Sequence, residues 1–235
     1  CTSLQIPGVH VDGGMREEVI LPAAKLHRSR SLSYDQLALV EMLGIGAHAV
    51  DRASPSPDEW ALVIGAGPIG LSVVRFAQLA GARVMVLEAS ERRAAYCREQ
   101  FGVAHVIHAG RDPLQQIEAV APELPTLVMD ATGSAQSMMA AFRYVANGGR
   151  LVFVGLVLDD ITFPDPEFHR REMTLLSTRN ATAGDFSRII GLMEAGDVDA
   201  AKWISHTAGY DDFVERFPRW LEPEAGVVKA VLSMD

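Results

Sequence analysis

Ala61-Leu62-Val63-Ile64-Gly65-Ala66-Gly67-Pro68-Ile69-Gly70 is the stretch whose reading decides the fold. An apolar run of strand length enters a glycine-rich turn, and a second apolar stretch with helical character leaves it. A further apolar run then ends on Glu88, 18 residues beyond Gly70. Glycines alone are a weak signal. Set between a strand and a helix, with an acid downstream, they describe a dinucleotide-binding turn. The bland alternative is that they relieve crowding in a tight α/β turn, and the flanking strands and the acid weigh against it.

Outward from this stretch the chain keeps a strand-then-helix rhythm. Strand 60–64 precedes helix 68–80, and strand 83–88 precedes helix 91–101. A short strand near 105–107 leads to a helix at about 113–121, strand 126–130 to helix 134–145, and Gly148-Gly149 turns into strand 150–154. Leu127-Val128-Met129 and Leu151-Val152-Phe153-Val154 are continuously apolar rather than alternating, as expected where helices cover both faces of a parallel sheet. The expectation is a doubly wound α/β Rossmann domain, with the run from Met173 to Leu176 able to close the sheet.

The flanks differ in texture. The first 35 residues hold a turn region from Gly8 to Gly14 and a short extended piece around Glu18 to Leu21. A helical pattern follows from Tyr34 to Ala53, in which Gly44, Gly46 and Ala47 permit a close neighbour. Beyond Asn180, Phe186, Ile189, Ile190 and Met193 fit one helix, Phe213, Phe217 and Trp220 another, and Val227 to Leu232 a terminal strand. The pieces beyond Asn180 are expected to pack with the first 40 residues and with what precedes Cys1, giving one complete domain flanked by two portions of a second.

Composition narrows the class. At 49% hydrophobic residues over 235 positions the chain can bury a good core. No apolar stretch is long enough to span a membrane, and the first residues show no basic segment followed by a hydrophobic one. Net charge is −9, from 30 acids against 21 bases, and bases cluster only in pairs such as Arg92-Arg93 and Arg170-Arg171. Nucleic acid and membrane are therefore not expected as partners. Two cysteines far apart, Cys1 and Cys97, suit a reducing cytoplasm.

The chemistry of the turn follows from its residues. Gly65 allows the tight turn, Gly67 lets the backbone approach a pyrophosphate, and Gly70 lets the helix lie close to its strand. Pro68 and Ile69 open that helix, whose free N–H groups and positive end meet the phosphates. Glu88 would accept hydrogen bonds from both adenosine-ribose hydroxyls and repel a 2′-phosphate, which favours NAD. Ser90, Arg92 and Arg93 form the counter-indication, since they could cradle a phosphate if Glu88 turned away. Thr132, Gly155 and Leu156, at predicted carboxyl ends of strands, are further cofactor-contact candidates, although Thr132 can equally be a helix cap. Asp130 is read as orienting nearby backbone.

Gly8-Val-His-Val-Asp-Gly-Gly14 with Glu17 and Glu18, Glu41-Met-Leu-Gly-Ile-Gly-Ala-His48, Val63 to Gly70, Asp130-Ala-Thr-Gly133 and Ser177-Thr-Arg-Asn180 stand in a characteristic order. Over essentially its whole length the chain resembles the zinc-containing medium-chain alcohol/polyol dehydrogenase family, in its sorbitol, threonine and sugar-acid dehydrogenase branch. The resemblance implies that the N-terminal part of the enzyme is missing here. It divides the chain into residues 1–40, the C-terminal portion of a GroES-like catalytic domain region, residues 41–180, the NAD-binding Rossmann domain, and residues 181–235, a returning segment packing with the catalytic domain.

For the intact enzyme the resemblance implies NAD and zinc as cofactors, oxidation of a secondary alcohol of a polyol or sugar acid to a ketone, and a homodimer or homotetramer. An L-threonine 3-dehydrogenase type of enzyme is the nearest alternative. A catalytically incomplete NAD-binding and oligomerisation module is the alternative of a different class. Sheet edges near Leu151–Leu156 and Met173–Leu176 would pair between subunits.

The family pattern places a ligand or near neighbour of the catalytic zinc at Glu41, where a carboxylate is chemically suited. Met42 departs from the proline often found after it, and a solvated helix residue is the alternative. Cys1 matches the last cysteine of the structural-zinc lobe in the full protein, and one cysteine cannot make that site. His48 lies seven residues beyond Glu41, about 10 Å along a helix, too far to share one zinc. It is read as packing or hydrogen bonding near the hinge. Arg179, beside Asn180 at the expected nicotinamide end, would hold a substrate carboxylate or hydroxyl, position the cofactor amide, or form a salt bridge between domains.

Overall fold

Strands that are apolar on both faces need cover on both sides, and the chain supplies it with a helix after nearly every strand. A computed structural model describes residues 3–110 and 112–234. Strands β1 (Trp60–Ile64), β2 (Arg83–Glu88), β3 (His105–His108), β4 (Leu127–Asp130), β5 (Arg150–Phe153) and β6 (Thr174–Ser177) form one sheet. All pairings are parallel, in the order β3-β2-β1-β4-β5-β6. Leu62, Val63, Met85, Val86, Val128, Met129, Leu151 and Val152 are fully buried. Between β1 and β4 the strand order reverses, opening a crevice at their carboxyl ends.

Two helices precede the sheet, α1 (Tyr34–Ala38) and α2 (Val40–Ala53). The sequence pattern reads them as one. The structure breaks them at Leu39, whose amide reaches back three residues to the carbonyl of Gln36 and tightens the end of α1. Ser33 and Gln36 cap each other reciprocally and fix where α1 begins. Helix α3 (Pro68–Leu79) follows β1 and lies against α2, where Gly46 meets Ser72. Helices α4 (Glu91–Phe101), α5 (Pro113–Val120) and α6 (Ala135–Ala141) follow β2, β3 and β4, starting at the side-chain caps Ser90, Asp112 and Ser134.

Two further features depart from the sequence reading. A helix, α7 (Asp165–Arg170), stands between β5 and β6, led in by Pro164. After α8 (Ala183–Glu194) the chain forms β7 (Ile204–Gly209), then α9 (Tyr210–Trp220) and β8 (Lys229–Ser233). β7 and β8 pair in parallel as a separate two-stranded sheet. β7 escapes notice in the sequence because it is only half covered and carries Ser205, His206 and Thr207 in place of an apolar run. Before Tyr34 the described residues hold one isolated bridge, Pro7 with Val11, and a short 3-10 turn, Ala23–Lys25; Glu18–Leu21 lies outside both.

The sheet has one open edge on the C-terminal side. β5 lies between β4 and β6, so the expectation that residues 151–156 present a pairing edge is corrected: of the two strands, β6 is the one at an edge. At the amino ends of the strands, opposite the crevice, Arg150 pairs with Glu59 at 2.8 and 2.9 Å and donates to the carbonyls of Ala53 and Ser54.

Cys97 of α4 is fully buried. Burial, reinforced by the nearby Glu88 charge and only partly offset by Arg98, pushes its thiol up to about 12. A thiol-specific reagent at pH 8 is expected to leave Cys97 unmodified until denaturant is added; fast modification in the native state would contradict this packing.

Candidate functional site

A cleft of about 570 Å³ opens where β1 and β4 diverge. Its back wall is the glycine turn. Gly65 has φ of +93°, a conformation that a side chain resists, and the Cβ of any substitute at Gly70 would stand 1.9 Å from the carbonyl oxygen of Gly65. Only glycine at position 70 lets α3 start this close to β1. Pro68 occupies the first helical position, where its missing N–H is not needed. Beside Gly67 nothing stands within 4 Å of where a Cβ would be, so that backbone faces open space.

Glu88 ends β2 and is 7% exposed. One carboxylate oxygen accepts the Ala66 N–H at 2.7 Å; the other accepts those of Ala89 and Ser90 at 2.9 and 2.8 Å. The acid therefore ties the exit of β2 to the glycine turn. A carboxylate has about four lone-pair positions, so three backbone donors leave it acceptor capacity at the cleft wall. This double duty was not foreseen from spacing.

Asp130, at the end of β4, is fully buried. It accepts from the Thr132 amide at 2.9 Å, the Thr132 hydroxyl at 2.6 Å and the Ser137 hydroxyl at 2.6 Å, which fixes the turn into α6. The backbone-orienting reading of Asp130 matches this geometry. Ser134, not Thr132, caps α6, so the helix-cap alternative for Thr132 is corrected. Thr132 instead packs its methyl against Gly65 and lines the cleft.

The cleft gathers Gly65, Gly67, Pro68 and Ile69 from the turn, with Glu88, Arg93 and Thr132. Gly70 lies behind it, as its contact with Gly65 requires. Gly155 backs onto Gly133, and Leu156 is 82% exposed; neither is in the lining. Ala109, Pro113, Gln136, Ala140 and Tyr144 complete the wall and were missed by the sequence reading. They come from helices and loops with no motif of their own. Pro113 opens α5, Gln136 and Ala140 lie on α6, Tyr144 ends the 3-10 turn after it, and Ala109 follows β3.

Ser90, Arg92 and Arg93, the phosphate-cradle candidates, line a second hollow of about 360 Å³ together, beside the C-terminal segment. Arg92 donates to the carbonyls of Glu224 and Ala225 at 2.7 and 3.2 Å, which commits it to the C-terminal segment. Ser90 caps α4. Arg93 is exposed and lines both that hollow and the cleft.

Glu41 is exposed in the first turn of α2, and Arg179 is exposed just beyond β6. Neither lines the cleft. Among the described residues no group of three His, Cys, Asp or Glu side chains stands close enough to hold a metal ion, and Cys1 lies outside the described residues. The described side chains do not by themselves fit a zinc centre. His48 lies 3.4 Å from the Asp185 carboxylate, joining α2 to α8 as the packing reading requires. Burial acts most strongly on Asp185 and opposes its charge, but the Thr182 N–H and hydroxyl, with His48 and Arg188, hold its carboxyl below the usual range.

A family model described as zinc-binding dehydrogenase matches residues 68–195. The chain belongs to this family. L-galactonate-5-dehydrogenase of Escherichia coli (strain K12) is 33% identical over 234 residues, covering 99% of this chain and 69% of the relative. L-arabinitol 4-dehydrogenase of Hypocrea jecorina is 28% identical over 230 residues, covering 95% and 61%. A solved short chain alcohol dehydrogenase, rspB from E. coli CFT073, complexed with NADH, aligns with a TM-score of 0.91 at 25% identity, over 100% of this chain and 70% of that one. This zinc-binding dehydrogenase chain thus spans 61–70% of the length of these relatives.

Proposed function

We propose that the chain is the cofactor-binding portion of an NAD-dependent dehydrogenase that oxidises a secondary alcohol of a polyol or sugar acid to a ketone. The observation that carries the NAD reading is Glu88, held by three backbone amides at the wall of the cleft. Its charge there meets a ribose with two hydroxyls well and a 2′-phosphate badly. Polyol and sugar-acid chemistry is supported by the relatives' names, L-galactonate-5-dehydrogenase and L-arabinitol 4-dehydrogenase, which do not favour the threonine alternative.

When bound, the nicotinamide of NAD accepts hydride from the alcohol carbon. The first turn of α3 and the Gly67 backbone would bind and orient the pyrophosphate. Glu88 would hold the ribose, and Thr132, fixed by Asp130, would keep the turn beyond β4 in register with Gly65. Gly155, Leu156 and Arg179 would face the nicotinamide end, with Arg179 offering a cation to an anionic substrate. Residues 41–180 would form the cofactor domain, and residues 1–40 and 181–235 would belong to the other domain. Zinc, with Glu41 and Cys1 as candidates near it, is a proposal for the whole protein alone, and no step here passes through it. The open edge of β6 would serve subunit pairing in a homodimer or homotetramer.

A second reading applies to the chain by itself. The absence of a metal-binding trio among the described residues favours an NAD-binding module that needs further residues for turnover. Stoichiometric zinc and alcohol oxidation by the chain alone would refute that reading.

The cofactor assignment is tested by Glu88→Ala. Expected is a loss of preference for NADH over NADPH by at least about tenfold, equivalent to about 1.4 kcal/mol, measured by calorimetric titration. Because Glu88 also anchors Ala66, absolute affinity for both should fall. An unchanged preference would remove Glu88 as the discriminator.

A further inference from the structure

Trp203 closes the 3-10 turn Ala200–Lys202 just ahead of β7, and is 1% exposed. Its ring meets Phe101 edge-on, with centroids 4.7 Å apart and planes at 79°. A buried indole N–H needs an acceptor. Here the acceptor is the carbonyl oxygen of Pro68, at 3.0 Å.

That carbonyl has a particular place. Pro68 is the first residue of α3, so its C=O and the N–H of Ile69 belong to one planar peptide group. The Ile69 N–H is among the first amides of the helix, which have no acceptor within it. Ile69 itself lines the cleft. A hydrogen bond donated into a peptide oxygen polarises the whole group and makes its N–H a stronger donor, by about 10–30% per bond. It also fixes the plane in which that N–H points.

We propose that Trp203 is a positioning residue for the dinucleotide: its indole N–H holds and polarises the Pro68–Ile69 peptide so that the Ile69 N–H is presented to the cofactor pyrophosphate. The inference rests on the NAD reading above. It makes the returning segment, separated from the glycine turn by more than half the chain, part of how that turn binds. Helix α3 has an independent anchor on α2, where the buried Ser72 hydroxyl donates to the Leu43 carbonyl at 3.0 Å. The two anchors differ in one respect that can be measured. Ser72 holds the helix, whereas Trp203 acts on the peptide that faces the phosphates.

The test is Trp203→Phe, which keeps an aromatic ring against Phe101 and removes the N–H. The Kd for NADH and for ADP-ribose is expected to rise about two- to fivefold, because the variant weakens a charge-assisted hydrogen bond to phosphate by a fraction and does not remove it. The Kd for adenosine, which has no pyrophosphate, is expected to stay unchanged. Ser72→Ala serves as the stability control: its Tm should fall while all three affinities hold. Unchanged ADP-ribose binding in Trp203→Phe would overturn the proposal, as would an equal loss for adenosine, which indicates general slackening.

A measurement on the unaltered chain covers the case in which the variant does not fold. In nitrogen-15 NMR spectra the Trp203 indole N–H resonance should shift when ADP-ribose saturates the protein, although the ring is buried away from solvent. An indole signal that does not move overturns the proposal. An unaltered chain that binds neither NADH nor ADP-ribose refutes the NAD reading itself, and that outcome is visible before any variant is made.

Discussion

Gly70→Ala is expected to abolish measurable NADH binding and to destabilise the fold by about 3 kcal/mol, at the upper end of ordinary overpacking costs. The added methyl would stand 1.9 Å from the Gly65 carbonyl oxygen and 2.9 Å from its carbonyl carbon. Both are backbone atoms, so no side chain can rotate away. Gly65 cannot retreat either, since its amide is held by the Leu87 carbonyl at 2.8 Å and its far side faces Thr132. The remaining response is for α3 to move off β1, which carries the Pro68–Ile69 peptide away from the cleft. Calorimetric titration and thermal melting would read the two effects. A variant with near-native Tm and NADH affinity would show that the helix does not sit as close to its strand as described.

Arg150→Met is expected to cost about 3 kcal/mol of stability with little effect on the cleft, which lies at the other end of the strands. The Glu59 side chain is only 9% exposed, and the guanidinium that neutralises it also serves the Ala53 and Ser54 carbonyls. Removing Arg150 leaves a nearly buried carboxylate with only the Thr126 hydroxyl at 2.5 Å and the Ser56 amide at 2.9 Å. The double change Glu59→Leu with Arg150→Met should recover part of the loss, because no uncompensated charge remains. Chemical denaturation of the two variants would decide this. Equal stability of the single variant and the parent would contradict the network.

The same pair gives a pH signature. Burial opposes the charge on Glu59 most strongly, but hydrogen bonds from Arg150, Thr126 and Ser56, with the Arg150 charge, hold its carboxyl below the ordinary 4.5. A depressed native value means that the unfolded chain takes up the proton first as pH falls. The contribution is present above pH 4.5 and is lost progressively as pH drops through the lower native value. Arg150→Met should flatten that part of the stability profile.

The parallel sheet was legible because its strands are apolar on both faces, and each helix start carries a residue that announces it: Pro68, Ser90, Pro113 and Ser134. The run to Leu176 also sits in the sheet, as its composition indicates. What could not be read were elements whose stability comes from partners. β7 is half polar and exists because β8 returns to pair with it across α9. The break at Leu39 is a matter of one carbonyl, with no signal in a run of good helix formers. In the cleft, the motif residues were recognisable as a group, whereas Tyr144, Gln136 and Pro113 depend on how two helices land on the sheet. Glu88 was recognisable as an acid at the right spacing. Its three amide partners were not, because Ala66, Ala89 and Ser90 enter through their backbones, which sequence does not distinguish. Likewise Glu41 and Arg179 stood out only through a family pattern, and the described residues bring no companion ligands to Glu41.

On the proposed function, the glycine turn and Glu88 make this chain a binder of NAD in preference to NADP. Titration of the unaltered chain with NADH and with NADPH, followed by calorimetry at fixed ionic strength, tests it most directly. Expected is saturable 1:1 binding of NADH, at least about tenfold tighter than NADPH. Tighter binding of NADPH, or no binding of either nucleotide by a folded chain, would contradict it.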